Sequence, residues 1–216
     1  MKWFRNILWL FGILLLTALT VAAHYYYKAY YRPAHSRIRL FHSKADDGEV
    51  TRIQEKAALQ RNFLSRHGYN TEICFMVDMT LPSGRSRFFV YDLHRDSILL
   101  SGLVAHGCGS NRFSYTPTFS NVNGSGCTSL GRYRIGYPYA GSFGRAYKLY
   151  GLDSTNDQAF ARNVVLHSYE GVPATETDPY PICNSRGCPM VSRIFLEKLQ
   201  PFIDHSGKPI MLWIFD

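Results

Sequence analysis

The sequence contains no internal repeat, no low-complexity tract and no run of five or more like-charged residues. The first two absences exclude a repeat array and a composition of the disordered class. The third argues against a nucleic-acid partner: the formal charge is +8, but the 24 Lys and Arg are scattered, as on a solvated surface. A weak, salt-sensitive attraction to anionic polymers or headgroups is the most such a surface implies. No set of Cys and His has the spacing of a structural zinc site. Gly124-x-Gly126 lacks the strand, helix and acidic partner of a dinucleotide site. Neither a metal nor an organic cofactor is called for.

The 216 residues suit one domain plus an appendage, and 15 Tyr with 14 Phe fit a strand-rich domain. Lys2 and Arg5 precede an uncharged run, Ile7 to Ala23, which reads as an export signal or membrane anchor rather than a buried soluble helix. Val21-Ala22-Ala23 resembles a cleavage site, whereas Tyr25, Tyr26, Tyr27, Tyr30 and Tyr31 resemble an interfacial aromatic belt and favour a retained anchor. The expected organisation is residues 1–23 as signal or anchor, 24–45 as tether, 46–72 as helical lead-in and 73–216 as the main domain. That domain lies outside the cytoplasmic membrane. Five cysteines, Cys74, Cys108, Cys127, Cys183 and Cys188, are an odd number in such an oxidising compartment, so one stays free or pairs between molecules. Cys108 and Cys127 are candidates for a bridge. Cys183 is a loop residue or a reversible disulfide partner of Cys188.

Asp46 and Asp47 offer an N-cap to a helix carrying Val50, Ile53, Ala57 and Leu64 and ending at Gly68. Three strand-like runs follow from Ile73, separated by turns at 81–84 and 94–96, and predict a meander ending at His106. Residues 107–129, rich in Gly, Ser, Asn and Thr, predict a long loop beside a functional site. Then come strands in LGRYRIGYP and RAYKLYGL, a short helix near 156–161, a strand ending at His167, a helix from Met190 to about Phe202, and a last strand PIMLWIF.

The chain is organised around His167 to Pro189. Pro189 suits a first helical position, so Cys188 is expected to cap a helix N-terminus, where the macrodipole favours a thiolate. Gly187 permits a sharp turn, and the N–H groups of Gly187 and Cys188 are the expected oxyanion donors. His167, on a rigid strand end, is the expected general base. Ser185 is placed to hydrogen-bond within the same loop. The plain alternative is that Cys188 is a small hydrophobe and His167 an ordinary satisfied histidine.

His167, a gap of seventeen residues and then Ser185-Arg186-Gly187-Cys188 resemble the active-site signature of the YkuD-like L,D-transpeptidases. Val104 to Gly107, Phe119 to Asn121 and Ser129 to Gly131 resemble motifs of the murein L,D-transpeptidase catalytic-domain family. The resemblance spans about residues 73–216. It implies a mainly β fold, a YkuD-like β-sandwich with a few peripheral helices, and cysteine-dependent acyl transfer on peptidoglycan stem peptides. Arg186 stands where many wider relatives have His, and Ser168 where they have Gly; Arg186 is suited to a substrate carboxylate. His106 lines the cleft or orders the long loop. Tyr147 and Tyr150 read as strand residues, and Asp153 and Asp157 as caps. The rival readings are another extracytoplasmic Cys/His peptidase and a non-catalytic wall-binding module.

Overall fold

The computed structural model describes residues 2–27, 47–110 and 115–216. The chain divides into two units, Met1–Arg39 and Leu40–Asp216. In the first, helix α1 (Lys2–Tyr26) carries the uncharged run, with Trp9, Phe11, Leu14, Leu15, Leu16 and Leu19 exposed. Among the described residues no helix is long and apolar enough to cross a membrane. The side chains of Ile7, Leu8 and Leu10, part of that run, lie outside the described residues, as do residues 28–45 of the expected tether.

The second unit opens with helix α2 (Asp47–Arg66), whose buried residues Glu49, Ile53, Ala57, Gln60 and Leu64 recur at three- and four-residue spacing along one face. It ends at Gly68, where Tyr69 N–H returns to Leu64 O at 3.1 Å. The strands β1 (Ile73–Asp78), β2 (Phe88–Asp92) and β3 (Ser97–Gly102) form the expected antiparallel meander. They are followed by β4 (Val104–Ala105), β5 (Gly131–Gly141), β6 (Gly144–Gly151), β7 (Val165–Ser168), β8 (Met190–Val191) and β9 (Met211–Phe215).

The nine strands among the described residues belong to one mixed sheet, in the order β3-β2-β1-β9-β5-β6-β7-β8-β4. Its two edges, β3 and β4, are separated in sequence by Leu103 alone, so the sheet curls into a nearly closed barrel. The expected mainly β architecture holds, and the layers of the expected sandwich are opposite walls of this single sheet.

Alternation along the central strands explains why they read as unbroken apolar runs. Phe75, Val77, Phe88, Val90, Leu212 and Ile214 point into the barrel. Cys74, Met76, Phe89, Tyr91, Met211 and Phe215 point outward, into a second core shared with Ile53, Ala57 and Leu64 of α2. Both faces are buried, and each fully buried large side chain contributes about 1.5–3 kcal/mol.

Helix α3 (Arg193–Asp204) supplies Phe195, Leu196 and Leu199 to the inner core. Its N-cap is Ser192, whose Oγ accepts from Phe195 N–H at 3.2 Å. This corrects the helix expected from Met190: Met190 and Val191 pair with β4 and β7, and Ser192 provides the capping oxygen that starts the helix. Residues 154–163 likewise form successive turns instead of the short helix expected there.

Where the edges meet, the fully buried Arg87 ties them together. Its Nε and Nη2 donate to Val104 O at 3.0 and 2.8 Å, and its Nη1 donates to Leu81 O at 3.0 Å. Burial pushes the guanidinium down to about 10, opposed by the charge of Asp78, so it stays protonated at neutral pH.

Candidate active site

β7 brings His167 to the site. Leu166 points into the inner core, so Val165 and His167 face the other way. At the level of His167 lie Ala146 of β6 and Met190 of β8. His167 Nδ1 is 3.0 Å from Ser168 O. A carbonyl can only accept, so Nδ1 carries the proton and the neutral ring presents Nε2 as a lone pair. Burial pushes the imidazole below the ordinary histidine range, and the Ser168 bond opposes that shift. The group named Ser168 in the sequence therefore serves through its backbone, orienting the ring.

Cys188 reaches the same face from the neighbouring chain segment. β7 and β8 run parallel with His167 opposite Met190, which sets Val165 level with Cys188, two residues earlier on each side. The thiol receives a hydrogen bond from Val165 N–H, and its Sγ lies 3.9 Å from Asn163 O. His167 stands one pleat further along that face.

Cys188 does not cap a helix, because β8 lies between it and α3. Its thiol is accordingly not lowered by a macrodipole. Burial pushes it above the ordinary thiol value; the Val165 bond and the charges of Arg162 and Lys148 oppose the shift. The resting group is a thiol that needs a base.

The loop before it is pinned to the end of the meander. Ser185 N–H donates to His106 O at 2.8 Å, Cys108 N–H donates to Ser185 O at 2.9 Å, and Gly107 and Ser185 form a bridge. Ser185 Oγ accepts from Gly187 N–H at 3.0 Å. This corrects one expected oxyanion donor: the Gly187 N–H already has an acceptor, whereas among the described residues none is bonded to Cys188 N–H. Gly187 is nonetheless required, since its φ is +110° and a Cβ would sit 2.6 Å from Cys127 O.

His106 is enclosed rather than open to a cleft. It is 1% exposed, its Nδ1 lies 2.9 Å from Arg87 Nη2, and its Nε2 lies 3.3 Å from Asn184 Nδ2. Arg186 is exposed beside the site and makes no ion pair among the described residues. The five cysteines are all free, so the Cys108–Cys127 bridge is not formed. Instead, Cys108 Sγ donates to Gly109 O and Cys127 Sγ to Ser125 O. Burial pushes the Cys183 thiol up to about 11. Asp153, expected as a cap, is the ion-pair partner of Arg132.

The residue that sequence reasoning missed is Arg162. Its guanidinium donates to Ser120 O at 2.8 Å, Ser129 Oγ at 2.6 Å and Cys127 O at 2.6 Å, holding the long loop against Gly187. Only its place five residues before His167 hinted at it.

No curated protein matches the sequence. Among solved structures, the chain is similar to the helical cell shape determining protein Pgp2 from Campylobacter jejuni, at 15% identity and a TM-score of 0.42, covering 73% of this chain and 56% of that one. An Enterococcus faecium L,D-transpeptidase variant gives 11% identity and 0.42, covering 67% and 50%. An L,D-transpeptidase from Mycobacterium smegmatis gives 13% and 0.39, covering 67% and 59%. The chain thus spans half to three-fifths of the length of these proteins, and likenesses this loose carry no argument about activity. The sequence itself is more telling: the L,D-transpeptidase catalytic domain family matches residues 47–213, from the first turn of α2 into β9 and through every site residue described above, and the chain belongs to that family.

Proposed function

We propose that the protein carries out cysteine-dependent acyl transfer on peptidoglycan stem peptides. The observation that supports this most directly is the pairing of β7 with β8. It presents the Cys188 thiol and the His167 imidazole on one face, with the imidazole proton fixed on Nδ1 by Ser168 O.

His167 Nε2 accepts the Sγ proton as the thiolate attacks the carbonyl carbon between the third residue and the terminal D-alanine of a tetrapeptide stem. Because the resting sulfur is a thiol raised by burial, deprotonation accompanies attack. Cys188 N–H donates to the tetrahedral oxyanion. The imidazolium returns its proton to the departing amine, and D-alanine leaves a thioester on Sγ. An amine acceptor then gives a 3-3 cross-link or protein attachment; water gives an L,D-carboxypeptidase. Arg186, exposed beside Gly187, is available to a substrate carboxylate. The location proposed with it is outside the cytoplasmic membrane, where this substrate lies; the support is the sequence run Ile7 to Ala23 behind Lys2 and Arg5.

The test is mass spectrometry of purified disaccharide tetrapeptide incubated with the full chain and with Cys188→Ala. The expected result is loss of D-alanine or a 3-3 dimer with the wild type alone. Absence of both, with Cys188 shown to be reduced, would sink the reading.

A further inference from the structure

β5 and β6 form a long hairpin whose register closes at Gly141 opposite Gly144, leaving Ser142 and Phe143 as a two-residue turn. Gly144 has φ +85°, which an ordinary residue at that corner rarely adopts. The hairpin projects Phe143 at its tip, and an aromatic ring placed there with 56% exposure has no role in the core.

Its inner face nevertheless has a partner. The Phe143 ring stacks on the His167 imidazole, with centroids 4.9 Å apart and planes 19° from parallel. Tyr169 meets the same ring edge-on, at 5.7 Å and 86°. Tyr169 is itself fixed by its N–H, which donates to Val191 O at 3.0 Å. His167 is thus held by two independent restraints: the Ser168 carbonyl sets the ring's in-plane orientation through Nδ1, and Phe143 sets the plane.

We propose that Phe143 is a positioning residue for His167, the hairpin tip serving as the plate against which the base is aligned toward Cys188 and shielded from water. This rests on the acyl-transfer reading. A single hydrogen bond leaves an imidazole free to swing about it, and a displaced base loses roughly 100-fold for an error of about 1 Å. A stacked ring removes that freedom without occupying either nitrogen. The same ring covers the imidazole from solvent, in keeping with the burial that keeps His167 neutral.

The elements that flank His167 carry several charged and titratable groups. Cys188 precedes β8; Lys148 on β6 donates to Asn163 Oδ1 at 2.8 Å; Arg162 is engaged with the long loop; Tyr169 follows β7. On the hairpin itself, Arg145 is paired with Asp204 at 2.5 Å. Removing Phe143 deletes none of these groups and breaks only its ring contacts with His167 and Tyr169, so a change at His167 reports the stack.

The experiment uses the full chain with Phe143→Ala and Phe143→Tyr, the latter keeping the ring. Two quantities are read: the pH titration of the His167 ring protons by NMR, assigned with His167→Gln, and D-alanine release against pH. In Phe143→Ala the imidazole midpoint should move up toward the ordinary histidine value. The acidic limb of kcat/KM should move up with it, and kcat should fall by about tenfold or more at little change in KM. Phe143→Tyr should restore both. An unchanged midpoint together with an unchanged kcat overturns the proposal, as does a loss that Phe143→Tyr fails to rescue. The NMR titration needs no turnover. A midpoint that moves in a protein without turnover therefore keeps the stack and overturns the functional reading instead.

Discussion

Two histidines of this molecule, His106 and His167, sit at strand ends and are 1% and 4% exposed. By burial they are alike. They differ in what their ring nitrogens meet. His106 has Arg87 Nη2 at one nitrogen and Asn184 at the other, inside the network that closes the sheet edges. His167 has one nitrogen fixed by a backbone carbonyl, and among the described residues nothing is bonded to the other. The first arrangement immobilises an imidazole as a joint; the second orients it and leaves a lone pair for chemistry. Partner count, rather than burial, separates the structural histidine from the candidate base.

That contrast breaks most sharply at His167. His167→Gln should lower turnover by roughly 10²–10⁴-fold while leaving the thermal midpoint nearly unchanged; a large loss of stability with retained activity would falsify the assignment. The opposite signature is expected at the joint. Arg87→Met leaves Val104 O and Leu81 O without their donor and should cost roughly 3 kcal/mol or more, read as a fall in the urea midpoint at unchanged slope. His106→Ala should cost about 1–3 kcal/mol by the same measurement, with turnover per folded molecule close to wild type. If His106→Ala instead inactivates a fully stable protein, the roles are reversed.

The acid–base predictions are smaller and sharpen the comparison. Burial lowers His167, and a general base must be neutral to act. Activity therefore rises with pH through the folded-state value of His167, and the lowered value places that rise below the ordinary histidine range. Burial raises Cys188, so alkylation by iodoacetamide at pH 7 should be slow and should climb through the alkaline range as the thiolate forms. Lys148→Met removes one of the charges that lower this thiol and should slow alkylation at pH 8 by about two- to fivefold.

Much of this was legible in the sequence, because periodicity and backbone-directed residues leave local marks. The meander, α2 with its stop at Gly68, and the turn at Gly187 all follow from such marks. The error at Met190 has a physical origin: Pro189 followed by Met190 and Val191 fits a helix start and a buried strand equally well, and distant pairing with β4 and β7 decides between them. Ser192, three residues before Phe195, was the signal that could have placed the cap. A glycine before a cysteine suggests an N–H free for substrate, but the hydroxyl of Ser185, two residues back, accepts the Gly187 N–H. Arg162 and Arg87 were invisible because each acts on carbonyls brought close only by the closed sheet. Phe143 carries no mark in the sequence, since only the β5–β6 hairpin lays it on His167.

The place of β9 in the sheet has a kinetic consequence. This strand, the last described strand of the sheet, lies between β1, the first, and β5, with Phe75 opposite Leu212 and Tyr133 opposite the same residue. A nascent chain can form the β1–β3 meander and the β5–β6 hairpin early, yet these halves stay unjoined until residues 211–215 emerge. Pairings across such a span close slowly. Until then the inner faces of both halves are exposed together, which makes that interval the one in which this domain is most open to aggregation.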